Sequence, residues 1–540
     1  MRRFVSINAG LLSLAALMMT ACGSPERLAA AIPSDGTELL VPTFIGRAAV
    51  AKPVAGESYE HPFMASPDQA TIHTDSYNSD VHRNAGVLGK NPEVISRLGP
   101  TPTLGGMCAT TTFDKQGNLI ALCATFVSFQ IHLMDPHTLE LLAVHYLPVR
   151  PSSFAALVSA DPAKVMTDTS GGAYYYLDEQ DRVVLADSEQ NITRLGHRQK
   201  ADGEWEFYVD SQWDLSDLVP NDCLNWNNWF PNGECDPLTA VLPDAQGNIW
   251  WATRLGRFGT LNPETGERIA SRFWAESKPG AADVTDKQVE EIQNSFSSDK
   301  DAVYIATDHA LYALRVDATG KDIETLWKEE YDRGSEVKVG AINQGTGTTP
   351  TLLGDDYITL SDNADGLINL VVYRRGLEVE GEREICKLPL FDERGSATDN
   401  SMIGWGRSII IENNAGYNNA LQMQPEDFSN TPGGAMRIDI REDESGCDVI
   451  WRSKERSLSV VPKMSAANGI VYLYGPDILE DGNNAWYLKG LDFETGETVF
   501  KINTGVGQFY DNNWAPISIG PDGTTYVGSF KGIVAIRDQP

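Results

Sequence analysis

Carboxylate and amide side chains recur beyond apolar runs in this 540-residue chain: Thr167-Asp168, Thr307-Asp308-His309, Ser361-Asp362-Asn363 and Glu412-Asn413-Asn414, with Thr253-Arg254 less clear. A second set stands just ahead of apolar runs: Thr348-Thr349-Pro350-Thr351, Val461-Pro462-Lys463 and Asn512-Asn513-Trp514. One Asp or Asn after a strand is ordinary turn chemistry, because its short side chain bonds to nearby backbone. Several at equivalent places in a repeated unit would converge as a polar ring. The ligand-binding candidates are therefore Asp168, Asp308, Asp362, Asn363, Glu412, Asn413, Asn414, Lys463, Asn513 and Trp514. Such oxygens suit a hard cation, so Ca²⁺ is the ion that Asp362, Asp365, Glu412 and Asn414 would accept. Asp362 lacks the downstream glutamate that an EF-hand loop requires. Lys463, the cation in an otherwise acidic set, would either orient an anionic group or balance charge at the surface.

Other chemistry is sparser. His61, His73, Asp75, Asp80 and His82 lie close in sequence and could serve Zn²⁺ or a general base, but their spacings match no helix-borne metal motif. Hydrogen bonding within a loop explains them better. The segment Cys223-Leu-Asn-Trp226-Asn-Asn-Trp229-Phe230-Pro-Asn-Gly-Glu-Cys235 would be either an exposed aromatic platform or a lid tucked onto the body. There is no Gly-x-Ser-x-Gly, phosphate-binding loop or dinucleotide fingerprint.

The elements that must position these residues are strands. Three phrases repeat: Leu261-Asn-Pro-Glu-Thr-Gly-Glu-Arg, Val316-Asp-Ala-Thr-Gly-Lys and Leu491-Asp-Phe-Glu-Thr-Gly-Glu-Thr. A turn of Asp or Asn, Thr and Gly between apolar runs, copied along a chain, marks one supersecondary unit repeated about an axis. The turns Asp114-Lys-Gln-Gly-Asn118, Asp244-Ala-Gln-Gly-Asn248 and Asp522-Gly523 mark a second hairpin of the same unit. The groups fall at 106–148, 152–215, 238–275, 292–330, 347–390, 400–453, 459–503 and 514–538. This predicts an all-β fold, a single β-propeller of about eight four-stranded blades, with seven as the alternative because the second and sixth groups are irregular. The last group has three strands, so an N-terminal strand at Asn91-Pro-Glu-Val-Ile-Ser-Arg97 should complete it and hide both edges. A short amphipathic stretch near Asp286–Gln293 is the one helix the periodicity suggests.

The turn Asp492-Phe-Glu-Thr-Gly496 with Phe500 behind it resembles the repeat of the quinoprotein alcohol dehydrogenase-like superfamily, in which a tryptophan docks one blade on the next. Asn262-Pro-Glu-Thr-Gly266 keeps the turn but has Ala270 at the docking position, Asp317-Ala-Thr-Gly320 is shorter with Trp327 displaced, and Asp135-Pro-His-Thr-Leu139 loses the glycine. The resemblance implies a propeller over residues 100–540 whose axial face, in the quinone enzymes, holds Ca²⁺ and pyrroloquinoline quinone (PQQ) through Glu, Asn and Asp. Glu412, Asn414 and Asp362 would be the corresponding residues. The adjacent cysteine pair of those enzymes is missing, which disfavours the quinone. The same fold also serves lipoprotein scaffolds, so it does not fix a function.

The opening residues carry Met1-Arg2-Arg3, an apolar run from Ala9 to Met19, and Thr20-Ala21-Cys22-Gly23, the pattern of a secretory leader. It resembles a bacterial lipobox. That implies removal of residues 1–21, acylation (palmitate) at Cys22 and, from Gly23, outer-membrane sorting. Residues 22–99 read as a tether and extended lead-in containing the closing strand. Six cysteines follow Cys22, an even number that suits disulfides in an exported chain. Proximity suggests Cys108 with Cys123 and Cys223 with Cys235, leaving Cys386 with Cys447. The net charge of -32 disfavours nucleic acid and anionic lipid surfaces as partners. The expectation is an exported, lipid-anchored protein that binds a small molecule or an envelope protein through the polar axial face. The alternative is an enzyme of the same fold, either a Ca²⁺/quinone oxidoreductase or a lyase or hydrolase using the Asp, Glu and Lys set.

Overall fold

The computed structural model describes residues 31–34, 41–100, 106–125, 128–161, 163–166, 168–275, 289–338, 341, 343–417 and 427–540. The leader with Cys22, Thr167 and the first part of the expected 286–293 helix lie outside the described residues.

Eight four-stranded antiparallel blades follow one another in a β-propeller, the sheet of blade 7 being extended by one strand at each edge. Blades 1 to 7 span 108–149, 176–214, 238–272, 297–330, 351–389, 403–453 and 463–506, each ordered from its innermost strand outward along the chain. Blade 8 is made of Ile517–Ile519, Thr525–Ser529 and Gly532–Asp538, completed on its outer edge by Pro92–Leu98. That closing strand pairs antiparallel from Pro92 opposite Asp538 to Leu98 opposite Gly532. The ring is thus joined by the N-terminal strand the three-stranded last group requires, and the terminal edge is covered. Phe44–Gly46 adds a further strand outside blade 7.

The second strands are sandwiched between neighbouring blades, so they are apolar on both faces. Ile249-Trp-Trp-Ala-Thr253 is buried throughout, whereas the outermost strand of the same blade, Arg268–Arg272, is largely exposed. The turns follow from their residues. Asp114 Oδ1 accepts from the amides of Gln116 (2.9 Å) and Asn118 (2.8 Å), and Asp244 Oδ1 does the same for Gln246 and Asn248. Gly117 and Gly247 take φ of +86° and +88°, which L side chains resist. In the Thr-Gly repeats, Gly266 and Gly496 sit at +75° and +71°. Where the repeat has lost its glycine, Leu139 occupies the same left-handed position at +60°.

Among the described residues α-helix is confined to the connection between blades 1 and 2, in Pro151–Ser159 and Ala163–Met166, and a single 3-10 turn stands at Gln508–Tyr510. Pro151 stands at the first turn, where its missing N–H is harmless. Phe154 of the same helix packs on Trp226 and Trp229, a tertiary contact that the weak periodicity of this segment does not announce. The described part of the 286–293 stretch is extended, Val289 bridging to Trp274. The three disulfides join Cys108 to Cys123, Cys223 to Cys235 and Cys386 to Cys447.

Candidate functional site

In each blade, the loop into the inner strand and the loop between the second and third strands emerge on one face, here termed upper; the hairpin turns lie on the lower face. The inner strands surround the axis with one edge unpaired. Their free amides must find acceptors. The chain supplies them itself: after running along the lower face, residues 70–82 turn up into the central channel and back. Ala70 O accepts from Leu177 N (2.8 Å), Ser76 O from Ser298 N (2.9 Å), Tyr77 O from Leu352 N (2.9 Å), Ser79 O from Gly404 N (2.9 Å) and Asp80 O from Met464 N (3.0 Å). Five blades are stitched to one hairpin. Its return limb, Val81–His82, pairs parallel with Lys463–Ser465.

The local sequence explains the shape of this plug. Thr74, Asn78 and Asp80 take φ of +71°, +52° and +56°, and Asn and Asp are among the residues that tolerate that region best. Asp75 Oδ1 accepts from the amides of Tyr77 (3.1 Å) and Ser79 (3.0 Å), closing the tip as an Asx turn. Asn78 Nδ2 donates to the carbonyls of Phe296 (3.1 Å) and Pro350 (3.2 Å). At the base, the Arg83 guanidinium meets Asp68 at 3.1 to 3.2 Å.

Lys463 is neither at the surface nor facing solvent. Its side chain is 1% exposed and paired with Asp80, which is 0% exposed, and Nζ also donates to Ile72 O (2.8 Å). Burial would raise the Asp80 carboxyl, but Lys463 and His73 outweigh it and hold it below the ordinary carboxylate range. Ser401 completes the cluster, donating to Asp80 Oδ2 (2.6 Å) and lying 2.7 Å from His73 Nδ1. These are the residue types of a hydrolytic triad, but not its wiring. Ser401 and Asp80 both address His73 Nδ1, while Nε2 faces Thr349, so no base stands between nucleophile and orienting acid. All four side chains are buried, and the cluster is a structural lock.

The other expected residues lie on the upper face, but most are engaged. Asp308 accepts from Glu291 N (2.7 Å) and pairs with Arg333 (2.5 Å) and His309 (2.8 Å). Asp362 accepts from Asn369 N (2.6 Å) and Nδ2 (2.7 Å) and pairs with Lys387 (3.0 Å). Asn363 Nδ2 donates to Arg333 O and Glu336 O, both at 3.0 Å, and Asp365 accepts from Ser335 N (2.9 Å). Asn413 Nδ2 donates to Gly395 O (2.9 Å). Asn513 and Trp514, at φ +39° and +63°, form a bend over Asp511 and Tyr417. Asp168 stands apart, capping Ser170 N (2.9 Å) beside buried Arg150.

Glu412 and Asn414 do come together. Glu412 receives Asn400 Nδ2 (2.5 Å) and Asn414 Nδ2 (2.9 and 3.1 Å), and burial pushes its carboxyl up to about 8. The amides are oriented by their other bonds, Asn400 to Val460 O (2.8 Å) and Asn414 to Leu458 O (2.7 Å), so N–H groups point at the carboxyl. A Ca²⁺ site would need oxygens there instead. Among the described residues no three His, Cys, Asp or Glu side chains converge as a metal would require. With the channel beneath filled by residues 70–82, these side chains do not fit a calcium-quinone pair.

Apart from Arg254, the mouth above the plug is built from residues without a strand-end signature. Tyr174 donates to Asn294 Oδ1 (2.7 Å), and Gln293 Nε2 donates to Asp399 Oδ2 (3.0 Å). Arg254 and Glu291 flank them, and burial raises the Glu291 carboxyl. Tyr174, Glu291, Gln293 and Asn294 sit in connecting loops, Thr398-Asp399-Asn400 stands just ahead of an inner strand, and Arg254 lies in the short turn after a second strand, where the sequence points. On the same face, the Cys223–Cys235 loop rests Trp226 and Trp229 on Phe154, with ring centroids 4.5 and 4.9 Å away. The outer faces stay open: Trp226 is 47%, Trp229 46% and Phe230 91% exposed.

No family model matches the chain. It is 25% identical over 326 residues to an uncharacterized protein of Archaeoglobus fulgidus, matching 56% of this chain and 61% of that protein. The chain thus spans about three fifths of that relative's length. Its fold is similar to quinohemoprotein alcohol dehydrogenase from Comamonas testosteroni, at 11% identity over 88% of this chain and 82% of that one, TM-score 0.49. It is likewise similar to a europium-containing methanol dehydrogenase, at 11% identity over 87% and 89%, TM-score 0.47. These are likenesses of fold.

Proposed function

We propose that the protein is an exported binding module, tethered through Cys22, that engages a ligand or partner protein on the upper face of its propeller. The observation that carries this reading is the plug. With residues 70–82 filling the channel, the upper loops form a floored polar surface and not a funnel to a buried centre. Tyr174, Arg254, Glu291, Asn294 and Asp399 remain half-buried around that floor, on loops of blades 2, 3, 4 and 6. The aromatic loop adds rigid, partly exposed rings to the same face, which give contact area with little ordering entropy to lose. Three disulfides favour an oxidising compartment, and the leader favours a lipid tether, stable once more than one acyl chain is attached.

A photo-crosslinking residue at Asn294 or Phe230, compared with one at Lys321 on the lower face, tests the reading in the protein's own cells. Adducts from the two upper positions and none from Lys321 are expected. Adducts equally from Lys321, or from no position, would reject it.

A further inference from the structure

The flank between blades 6 and 7 carries a second site, remote from the axis: an open groove of about 430 Å³. Its floor is charge-neutral. Lys489 and Lys501 each reach Glu455, at 3.1 and 3.0 Å, and Asp477, at 3.2 and 3.1 Å. Burial would raise the Glu455 carboxyl, but the two ammonium groups outweigh it and hold it at about 2, so Glu455 keeps its charge at any ordinary pH.

The rim is not neutral. Arg452, Lys454 and Arg456 line it from alternate positions. Among the described residues none of the three has a carboxylate within ion-pair distance, although acids outnumber bases 75 to 43 in this chain. Arg456 is held in place by donating Nε to Thr431 O (3.1 Å). Uncompensated cations gathered in one concavity of an acidic protein call for an anion. Arginine forks match tetrahedral oxyanions in particular. The volume falls within the range of small-molecule sites, about 300–1,000 Å³, so the anion comes attached to a larger polar body.

We infer that this groove binds a phosphoryl-bearing polar molecule, its phosphate clamped by Arg452, Lys454 and Arg456 and its hydroxyls facing Asp477. The phosphoryl group has two sources, a soluble sugar phosphate or a lipid headgroup. The field of the whole chain opposes an approaching anion, so recognition depends on these contacts and weakens with salt.

Calorimetry on the full chain tests this with glucose 6-phosphate, glucose, and vesicles of phosphatidylcholine with or without phosphatidylglycerol. Glucose 6-phosphate should bind, glucose should not, and Arg452→Gln/Lys454→Gln/Arg456→Gln should weaken binding at least tenfold. Binding of the phosphatidylglycerol vesicles alone, lost in the triple variant, supports the inference and assigns the source to a headgroup. If the triple variant melts early, Lys454→Gln, whose ammonium is exposed, carries the comparison with an expected threefold loss. Wild-type binding of both phosphoryl probes no tighter than that of the variant would overturn the inference.

Discussion

The channel and the flank groove each set lysine against carboxylates, yet they are built to opposite ends. In the channel, Lys463 and Asp80 are shut away with His73 and Ser401, and every charge has its partner. In the groove, Lys489 is equally buried, but its carboxylates also serve Lys501, and three more cations at the rim have no carboxylate partner among the described residues. Saturation with burial marks a part that holds the ring together; unmatched charge in an open concavity marks a part that receives something. The contrast matters because the channel holds the residue types that most invite a catalytic reading.

The largest expected difference is energetic. Lys463→Ala leaves Asp80 buried without its cation, and denaturant unfolding should show a loss of about 3–5 kcal/mol. Lys501→Ala opens onto the groove, where water and Lys489 remain, and should lose less than about 1 kcal/mol. Equal losses would break the distinction. Next, Asn78→Ala removes the amide donor for Phe296 O and Pro350 O at the tip of the plug and should cost about 1–3 kcal/mol by the same measurement.

pH separates buried carboxyls without a cation partner from those held by lysine, and it does so by sign. Burial pushes Asp75 to about 7, Asp511 to about 7 and Glu412 to about 8. Each keeps its proton in the folded chain after the unfolded chain has released it at about pH 4. Their stabilisation is therefore full below that value and is lost as pH rises through 7 and 8, at up to about 1.4 kcal/mol per pH unit for one group. Glu412→Gln should flatten the decline between about pH 5 and 8 in thermal melts; an unchanged slope would contradict the burial argument. Glu455, held down by lysines, works the other way, and its contribution disappears only as pH falls toward about 2. The smallest effect is at the base of the plug: Asp68→Asn, facing a half-exposed Arg83, should shift stability by less than about 1 kcal/mol.

What the sequence made legible was whatever depends on local periodicity and turn chemistry. The Asp-x-x-Gly-Asn and Thr-Gly turns mark hairpins because their φ demands are local, and the missing strand of blade 8 leads to Pro92–Leu98 by simple edge counting. The plug was not legible. Its His and Asp residues showed as a cluster, but only tertiary closure reveals that its carbonyls serve five inner strands. For the same reason Lys463 looked like a ring cation, since nothing near Val461-Pro462-Lys463 announces Asp80 as its partner. The mouth residues Tyr174, Asn294 and Asp399 lie in long irregular loops, where no periodicity constrains the side chain. The groove draws on Arg452–Arg456 and Lys489–Lys501, neighbours only because adjacent blades pack side by side.

Amide hydrogen exchange on the full chain tests the central claim, that the N-terminal hairpin seals the channel. The amides of Ser298, Leu352, Gly404 and Met464, whose acceptors belong to residues 76–80, should exchange as slowly as the amides of the buried second strands. Exchange at the rate of exposed loops would mean that the channel stands open, and the plugged propeller would have to be abandoned.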